Sequence, residues 1–457
     1  MRKLQPAALA IAAATTAFLG SGAPAARAQG KPAAASAAAS PLRTFALDNG
    51  LTVVHVERPG LPMVTVQVWY RFGSRHEPAG QRGAARVIEK IMFDGSARVR
   101  PEQHRRSIEQ VGGQTTSLTT EDVTAYHNTV PVEYLDLALA LEADRMRGLL
   151  IRQDSVEAAA RQVADEARQQ ESSPLYRVYL GLLGAAFRGG SYSWAPSGAR
   201  ADLEALTAEQ VKALYDRHYQ PSSALLVVVG GASAEAVDAA VKKRFGPVEG
   251  TGAPPPAPPP PGEGAPGRTS MVGSPVGLVM VGYRLPPASH DDIPALQVAG
   301  AILSAGTSAR LHKQLVARKV VEEVGGQVLV RQGGGLLIAY ARFPGDRDAG
   351  AVEKALLGEI ERLATRGPSA AELRRARAQV VSAGWLGTES ATGLANQIGV
   401  SWGLTGKPGD FLAELGRIEG VTAAQVKKAA ATYLARDKAF VAVAGPTGAR
   451  KPAGGDK

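Results

Sequence analysis

Three charged residues, Arg86, Glu89 and Lys90, are spaced so that one helix face would carry them. Residues 80–95 are predicted to form a helix, in which positions i and i+4 share a face, so Arg86 and Lys90 flank Glu89. A carboxylate held there could act as a general base. The flanking cations cannot bind a metal ion, because arginine stays protonated and lysine, whose usual pKa is about 10.4, keeps its proton at neutral pH.

Five stretches of the sequence carry motifs that are specific in combination. They are residues 71–78 (RFGSRHEP), 83–96 (GAARVIEKIMFDGS), 112–124 with Gly112-Gly113, Thr119, Asp122 and Thr124, 141–146 (LEADRM) and 218–221 (HYQP). With these motifs the chain resembles the insulinase/pitrilysin superfamily of zinc peptidases, in the branch with mitochondrial processing peptidase and its bacterial relatives. The resemblance covers roughly residues 42–446. It implies an α+β fold of two homologous domains, each with helices packed on a mainly antiparallel sheet, which enclose a chamber.

The same resemblance assigns a zinc-site position to each charged residue. In the family, H-x-x-E-H on a helix places two histidines on one Zn²⁺ ion, and the glutamate between them is the general base. This sequence has Arg86 and Lys90 at the histidine positions, Glu89 at the base position, and Glu166 at the position of the third ligand. They are therefore remnant ligand positions and a remnant general base. We expect no bound zinc, no other cofactor and no active catalytic residue.

The exchange of both histidines for cations predicts a different use of the site. Arg86 and Lys90 lie within one helical turn of Glu89, and the family fold would bring Glu166 opposite them. Two positive and two negative side chains could neutralise one another there, so we predict an ion-pair cluster in place of the metal. The alternative is that these are drifted surface residues of a site without function.

The positions that hold substrate in active relatives have also changed. The family's Asn-Ala pair, which holds the substrate backbone, corresponds to Thr116 and Ser117. An arginine and a tyrosine of the family's second domain correspond to Val316 and Glu323. We therefore expect the substrate clamp to be absent, and these four residues are only remnant substrate-binding positions.

The composition excludes several other classes of function. The chain has 457 residues, no cysteine and a formal net charge of +10. Without cysteine there can be no disulfide, thiolate metal site or thiol nucleophile. The basic residues are spread along the chain, and no helix-turn-helix, zinc-finger or aromatic RNA-binding signature accompanies them, so we expect no nucleic-acid partner.

The first 28 residues have the features of an export signal. Arg2 and Lys3 precede an apolar stretch, residues 7–20, that is too short to span a bilayer, and an A-x-A cleavage sequence ends at Ala28. We predict that this segment is removed near Ala28 and that the protein is periplasmic or secreted. Residues 29–41 are predicted to be a disordered lead-in. No later run is apolar enough to predict stable membrane insertion.

A proline-rich segment and an internal repeat divide the rest of the chain. Runs of proline favour an extended, semi-rigid linker between two halves. On either side, residues 207–212 (TAEQVK) and 422–427 (TAAQVK) begin a helix, turn and strand that recur in register. We therefore predict two copies of one α+β module. The first half, the linker, the second half and the tail are residues 42–245, 246–268, 269–446 and 447–457.

Local patterns predict the elements around the candidate site. Helices are predicted over residues 80–95, 101–112, 131–148 and 154–171. The alternation of Val64, Val66 and Val68 with less apolar neighbours predicts a half-buried strand, with helices on one face of each sheet. The three glycines from Gly333 to Gly335, between two strand-like runs, predict a hairpin turn.

The resemblance leads to one main interpretation and two alternatives. In the main interpretation, the chain is a non-catalytic subunit that pairs with an H-x-x-E-H zinc peptidase homologue and completes its peptide-binding chamber. The first alternative is an active zinc metalloendopeptidase with atypical ligands, which would contain zinc and lose cleavage with a chelator. The second is a stand-alone peptide-binding or assembly protein, and copurification with a zinc-containing homologue would count against it.

Overall fold

The structure of the protein is a computed structural model that describes residues 41–250 and 257–445. The predicted export signal, nearly all of the lead-in and the predicted tail lie outside the described residues. Among the helices of the described ranges, none is both long enough and apolar enough to cross a membrane.

A six-stranded sheet forms the centre of the first half. Its strands are β1 (Arg43–Ala46), β2 (Thr52–Glu57), β3 (Met63–Tyr70), β4 (Gln114–Thr119), β5 (Thr124–Pro131) and β6 (Ala224–Gly230). Their spatial order is β1-β2-β6-β3-β5-β4, and every neighbouring pair is antiparallel except β2 with β6. Strand β4 therefore lies at an edge of the sheet, and within the described chain it pairs with β5 alone.

The helices of the first half include the one that carries Arg86, Glu89 and Lys90. They are α1 (Ala84–Ile91), α2 (Gln103–Gln110), α3 (Leu135–Arg147), α4 (Gln153–Glu171), α5 (Pro174–Ala186), α6 (Arg200–Ala205), α7 (Ala208–His218) and α8 (Ala234–Phe245). Helix α1 is shorter than the predicted helix over 80–95, because Gly80 and Gly83 have φ angles of 81° and 100°, outside the helical region. The other three predicted helices correspond to α2, α3 and α4.

The second half repeats this arrangement. Its strands are β7 (Gly267–Val272), β8 (Gly277–Arg284), β9 (Glu323–Leu329), β10 (Leu336–Phe343) and β11 (Phe440–Gly445). Their spatial order is β7-β11-β8-β10-β9, with β7 and β11 parallel and the other pairs antiparallel. Its helices are α9 (Ile293–Ser304), α10 (Ala349–Arg366), α11 (Ala370–Leu386), α12 (Ala391–Thr405), α13 (Asp410–Glu419) and α14 (Ala423–Tyr433).

The two sheets confirm that the chain contains two copies of one module. The order β7-β11-β8-β10-β9 matches β2-β6-β3-β5-β4, and in both sheets the first pair of that series is the parallel one. The repeated sequence has the same local role in both copies. Thr207 and Thr422 cap α7 and α14 by accepting a hydrogen bond from the backbone of Gln210 and Gln425.

Each half contributes one helix to the sheet of the other half. Helix α5 packs on the second sheet, where Leu182 and Met280 belong to one buried cluster. Helix α12 packs on the first sheet, where Ile398 lies in a cluster with Trp69. The predictions of a half-buried strand and of helices on one face of each sheet were therefore wrong, because α12 covers the second face of β3. The halves contact each other through these helices, and a chamber between them stays a prediction.

The close contact between α12 and β3 gives a testable prediction. A Cβ on Gly399 of α12 would lie 2.0 Å from the Trp69 ring, so Gly399→Ala should destabilise the protein by about 1–3 kcal/mol. Gly416 of α13 is the matched control, because a Cβ there would meet nothing within 4 Å. Gly416→Ala should leave the free energy of unfolding unchanged or raise it by up to about 1 kcal/mol. Denaturant unfolding measures both, and equal effects would contradict the packing of α12 on β3.

The described part of the predicted linker is held on the first half. The backbone N–H groups of Ser191 and Tyr192 donate to the carbonyls of Pro260 and Pro261, at 2.9 and 3.2 Å. Gly264 donates to the carbonyl of Ala186 at 3.2 Å. Strand β7 begins at Gly267, inside the range predicted as linker. The described part of the linker is therefore bound along the first half, whereas the composition predicted a spacer between the halves.

Candidate functional site

The four charged residues of the candidate site lie together. The Arg86 guanidinium donates through Nη1 to Glu89 Oε2 and through Nη2 to Glu166 Oε2, both at 2.6 Å. Lys90 Nζ donates to Glu166 Oε1, also at 2.6 Å. The predicted ion-pair cluster is present. The alternative, drifted residues of a site without function, is not decided by these contacts. We call these four side chains the charged cluster.

The packing of two helices explains the geometry of the charged cluster. Arg86 and Lys90 are four residues apart on α1, so their side chains leave the same face. Helix α4 packs against α1 and brings Glu166 opposite that face. Glu166 receives a further bond from Gln162 Nε2 at 3.2 Å, one helical turn earlier on α4. The cluster is partly open to solvent, since the exposed fractions of the Arg86 and Glu166 side chains are 21% and 35%.

Glu89 is the buried member of the cluster. Its side chain is 3% exposed and accepts hydrogen bonds from Arg86, from Ser117 Oγ at 2.8 Å and from Thr119 Oγ1 at 2.5 Å. Both hydroxyls come from the edge strand β4. A carboxylate that accepts three such bonds is held in place by its neighbours.

The charges of the cluster balance without a metal ion. Burial opposes ionisation of Glu166, but the bonds and charges of Lys90 and Arg86 outweigh it and hold its pKa below the ordinary value. Partial burial also opposes the Arg86 cation, yet Glu89 and Glu166 raise the pKa of Arg86 above its usual value. Glu166 and Arg86 are therefore ionised at neutral pH, and the cluster pairs two basic side chains with two acidic ones.

The residues present do not fit the zinc ion that the resemblance would place here. The family's two histidine positions hold the cationic side chains of Arg86 and Lys90. The hydrogen bonds of these side chains occupy oxygens of both carboxylates, Glu89 and Glu166. In the described ranges, no group of three or more histidine, cysteine, aspartate or glutamate side chains could hold a metal ion elsewhere. We derive no catalytic step through zinc for this chain.

The remnant substrate positions lie in two places. Ser117 and Thr116 are neighbours on β4, where Ser117 contacts Glu89 and Thr116 is exposed. Val316 ends a π-helical turn and packs against the core of the second half. Glu323 begins β9 and accepts bonds from Tyr340 at 3.0 Å and Arg342 at 2.9 Å. Only Ser117 of these four is therefore joined to the charged cluster by a hydrogen bond in the described contacts.

The loop before α1 is fixed by a buried carboxyl group. Glu77 accepts from the backbone N–H groups of Gly83 and Ala85, both at 2.9 Å, and from Trp194 Nε1 at 3.1 Å. These bonds satisfy two of the free N–H groups at the start of the helix. Glu77 belongs to the motif over residues 71–78, so its importance could be read from the sequence, but its partners could not.

Two histidines, the buried His218 and the partly buried His76, lie beside the same loop. The ring of His218 stacks on Phe72 with 4.5 Å between centroids, and His76 lies 5.7 Å from His218. Burial, with smaller effects of His76 and Arg217, lowers the pKa of His218 to about 3. Burial likewise lowers the pKa of His76 to about 3. Both imidazoles are therefore neutral in the folded protein at physiological pH.

These histidines predict a loss of stability in acid. An unfolded chain binds protons at histidine below a pH of about 6.5, whereas the folded chain binds them only near pH 3, so folding becomes less favourable as the pH falls between these values. Each histidine should contribute about 1.4 kcal/mol per pH unit to this slope. His218→Asn should reduce the slope of unfolding free energy against pH by that amount. Equal slopes for the parent protein and the His218→Asn variant would contradict the prediction.

Comparisons with known proteins agree with this fold. The family model "Insulinase (Peptidase family M16)" matches residues 52–195, and the model "Peptidase M16 inactive domain" matches residues 205–380. The chain is 29% identical to the zinc protease PqqE of Helicobacter pylori over 280 residues, which are 60% of this chain and 63% of that protein. It is 26% identical to an uncharacterized zinc protease of Streptomyces coelicolor over 430 residues, 89% of this chain and 90% of the relative.

Three further similarities concern a subunit of a larger complex and two solved structures. The chain is 26% identical to subunit 1 of the mitochondrial cytochrome b-c1 complex of Bos taurus over 260 residues, 56% of this chain and 54% of that protein. A protease structure from Helicobacter pylori superposes with a TM-score of 0.83 at 22% identity, covering 89% of this chain and all of that one. A peptidase M16 inactive domain from Pseudomonas fluorescens superposes with a TM-score of 0.82 at 20% identity, covering 90% and 99%. These structures share the two-domain fold, and the chain belongs to the insulinase/pitrilysin superfamily, peptidase family M16.

Proposed function

We propose that this chain is a non-catalytic member of the family that binds peptide together with a zinc-containing homologue. The observation that carries the proposal is the occupation of both histidine positions by cations bonded to Glu89 and Glu166. A divalent cation would have to displace two fixed positive charges at this place, which electrostatics opposes. The chain therefore lacks the means to activate a water molecule in the way that the family motif does.

The edge strand supports the peptide-binding part of the proposal. The outer side of β4 has no partner strand in the described chain, so its backbone groups could pair with an extended peptide. Ser117 and Thr119 bond to Glu89 and tie this strand to the charged cluster. The cluster thus takes a structural role, in which Glu89 holds the peptide-binding edge instead of activating water.

The pairing part of the proposal rests on relatives. Two of them are named zinc proteases, and the bovine relative is named as a subunit of a complex. A chain with an occupied ion-pair cluster would supply a peptide-binding surface, and a homologue with H-x-x-E-H would supply the zinc. The two alternatives are an active zinc metalloendopeptidase and a stand-alone peptide-binding protein, and they predict different results in the same experiment.

The test uses the full chain purified alone and mixed with an H-x-x-E-H homologue from the same organism. Metal analysis should find less than about 0.1 zinc per chain for the protein alone, and peptide cleavage should be absent. Mixing should give a larger complex in analytical ultracentrifugation and faster cleavage than the homologue shows alone. Chelator-sensitive cleavage by the chain alone, abolished by Glu89→Gln, would establish the active peptidase instead. Peptide binding without any complex would establish the stand-alone protein.

A further inference from the structure

The tips of two equivalent hairpins meet at the boundary between the halves. In the first half, the turn between β4 and β5 comprises residues 120–123, and in the second half the turn between β9 and β10 comprises residues 330–335. The predicted hairpin turn at the three glycines is part of the second one. Both hairpins carry an edge strand, β4 or β9, at the same place in the repeat. The two edge strands are therefore joined through their turns.

Asp122 is the centre of the contact between these turns. Its Oδ1 accepts hydrogen bonds from Tyr192 at 2.6 Å and from Arg75 Nη1 at 2.9 Å. Its Oδ2 accepts from the backbone N–H of Gln332 at 3.1 Å, across the boundary between the halves. Arg75 Nη1 also lies 3.1 Å from Gln332 Oε1. Both oxygens of this carboxylate are thus used, and one of them binds the second half directly.

A second ion pair lies beside the pair of Arg75 and Asp122. Arg331 of the second half donates through Nη2 to Glu121 Oε1, and to the Tyr179 hydroxyl at 3.3 Å. Its guanidinium lies 5.0 Å from the centre of the Tyr192 ring. Arg331 is 2% exposed and Glu121 is 9% exposed, so water screens this pair weakly. The Arg331–Glu121 pair therefore connects the two turns directly. The neighbouring Arg75–Asp122 pair lies within the first half and reaches the second turn through Gln332.

The contact lies next to the residues that hold Glu89. Thr119, which donates to Glu89, is followed at once by the turn that contains Glu121 and Asp122. Strand β4 is paired on one side only, so its position depends on β5 and on the ends of the hairpin. A shift of the turn would move Thr119 and Ser117 relative to Glu89.

We propose that Arg331 and Gln332 of the second half are positioning residues for the peptide-binding edge of the first half. They fix the β4–β5 turn and, through it, the free edge of β4. The coupling is reciprocal, so a peptide added to β4 also strengthens the contact between the turns. The peptide part of this inference rests on the proposed function, whereas the mechanical link between the turn and β4 does not.

Hydrogen exchange tests the mechanical link in the full chain. The double variant Glu121→Gln with Arg331→Met removes the second ion pair without leaving one buried charge alone, so the fold should survive. Amide exchange over residues 114–124 should accelerate about tenfold, while exchange of β6 stays as in the parent protein. Arg331→Lys keeps a cation beside Glu121 and should restore most of the protection. Unchanged exchange at β4, or equal acceleration in β6, would overturn the inference.

A second contact between the halves supplies the matched control. Arg58 donates to the carbonyls of Glu389 and Thr388 at 2.6 and 2.7 Å, far along the chain from the β4–β5 turn. Arg58→Ala should leave exchange over residues 114–124 unchanged. With an extended peptide as probe, the double variant should bind the peptide about five- to tenfold more weakly than the parent protein. The Arg58→Ala variant should bind it with the affinity of the parent. A parent protein that binds no peptide would refute the proposed function, and the exchange result would still decide the link.

Discussion

The double substitution Arg86→His and Lys90→His should give this chain a zinc affinity at least about 1000-fold higher than its own. Two histidines four residues apart on α1 would present both imidazoles on one face. Arg86 and Lys90 both reach Glu166 at 2.6 Å, so groups at these positions converge on the same carboxylate. The change would therefore create a set of two histidines and one glutamate and would remove the two positive charges that oppose the ion.

Equilibrium dialysis followed by metal analysis measures this effect without relying on activity. The expected result is about one zinc ion per chain in the double variant, and further addition of Glu166→Gln should weaken binding again. The matched control is Arg86→Lys with Lys90→Arg, which keeps both charges and should bind no more zinc than the parent. A folded double variant that fails to bind zinc would show that the backbone no longer places these positions for a metal. One tightly bound zinc in the parent would contradict the ion-pair account itself.

The fold was predictable from the sequence where local patterns and the repeat determine it. Residues 207–212 and 422–427 predicted two copies of one module, and both begin a capped helix at the same place in the fold. The exchange of α5 and α12 was not predictable, because it buries polar residues that alternation assigns to solvent. Gln67 of β3 donates to Asn396 Oδ1 of α12 at 2.9 Å, so its polar group is satisfied under a helix.

The site was predictable to the extent that one helix determines it. The spacing of Arg86, Glu89 and Lys90 fixes their common face, and the family motif adds Glu166. The hydroxyl partners of Glu89 depend on which residues of β4 face α1, and that register follows from pairing with β5. The contact of Asp122 with Gln332 joins residues 210 positions apart, which no local pattern connects. The motifs thus identified the members of the charged cluster, but they did not predict the hydrogen-bond partners that come from other elements.

The motif at residues 141–146 contains the most deeply buried ion pair of the first half among the described contacts. Glu142 is fully buried, Arg145 is 1% exposed, and Arg145 Nε donates to Glu142 Oε2 at 3.0 Å. Glu142 Oε1 accepts from Arg145 Nη2 and from Asn128 Nδ2. The Arg145 guanidinium lies 4.9 Å from the centre of the Phe93 ring, just beyond the end of α1. This pair therefore supports the end of the helix that carries the charged cluster.

Arg145→Leu should destabilise the protein by about 3–5 kcal/mol, because it leaves Glu142 charged and buried without its cation. Glu142→Gln with Arg145→Leu removes both charges and keeps the acceptor for Asn128, so it should unfold at higher denaturant concentration than Arg145→Leu despite the additional substitution. The matched control is Arg168→Leu on α4, which breaks an ion pair with Asp165 of the same spacing whose side chains are 64% and 67% exposed. That change should alter the free energy of unfolding by less than about 0.5 kcal/mol. If the double variant were the less stable one, the effect would come from lost packing around Phe93 and not from the unpaired charge of Glu142.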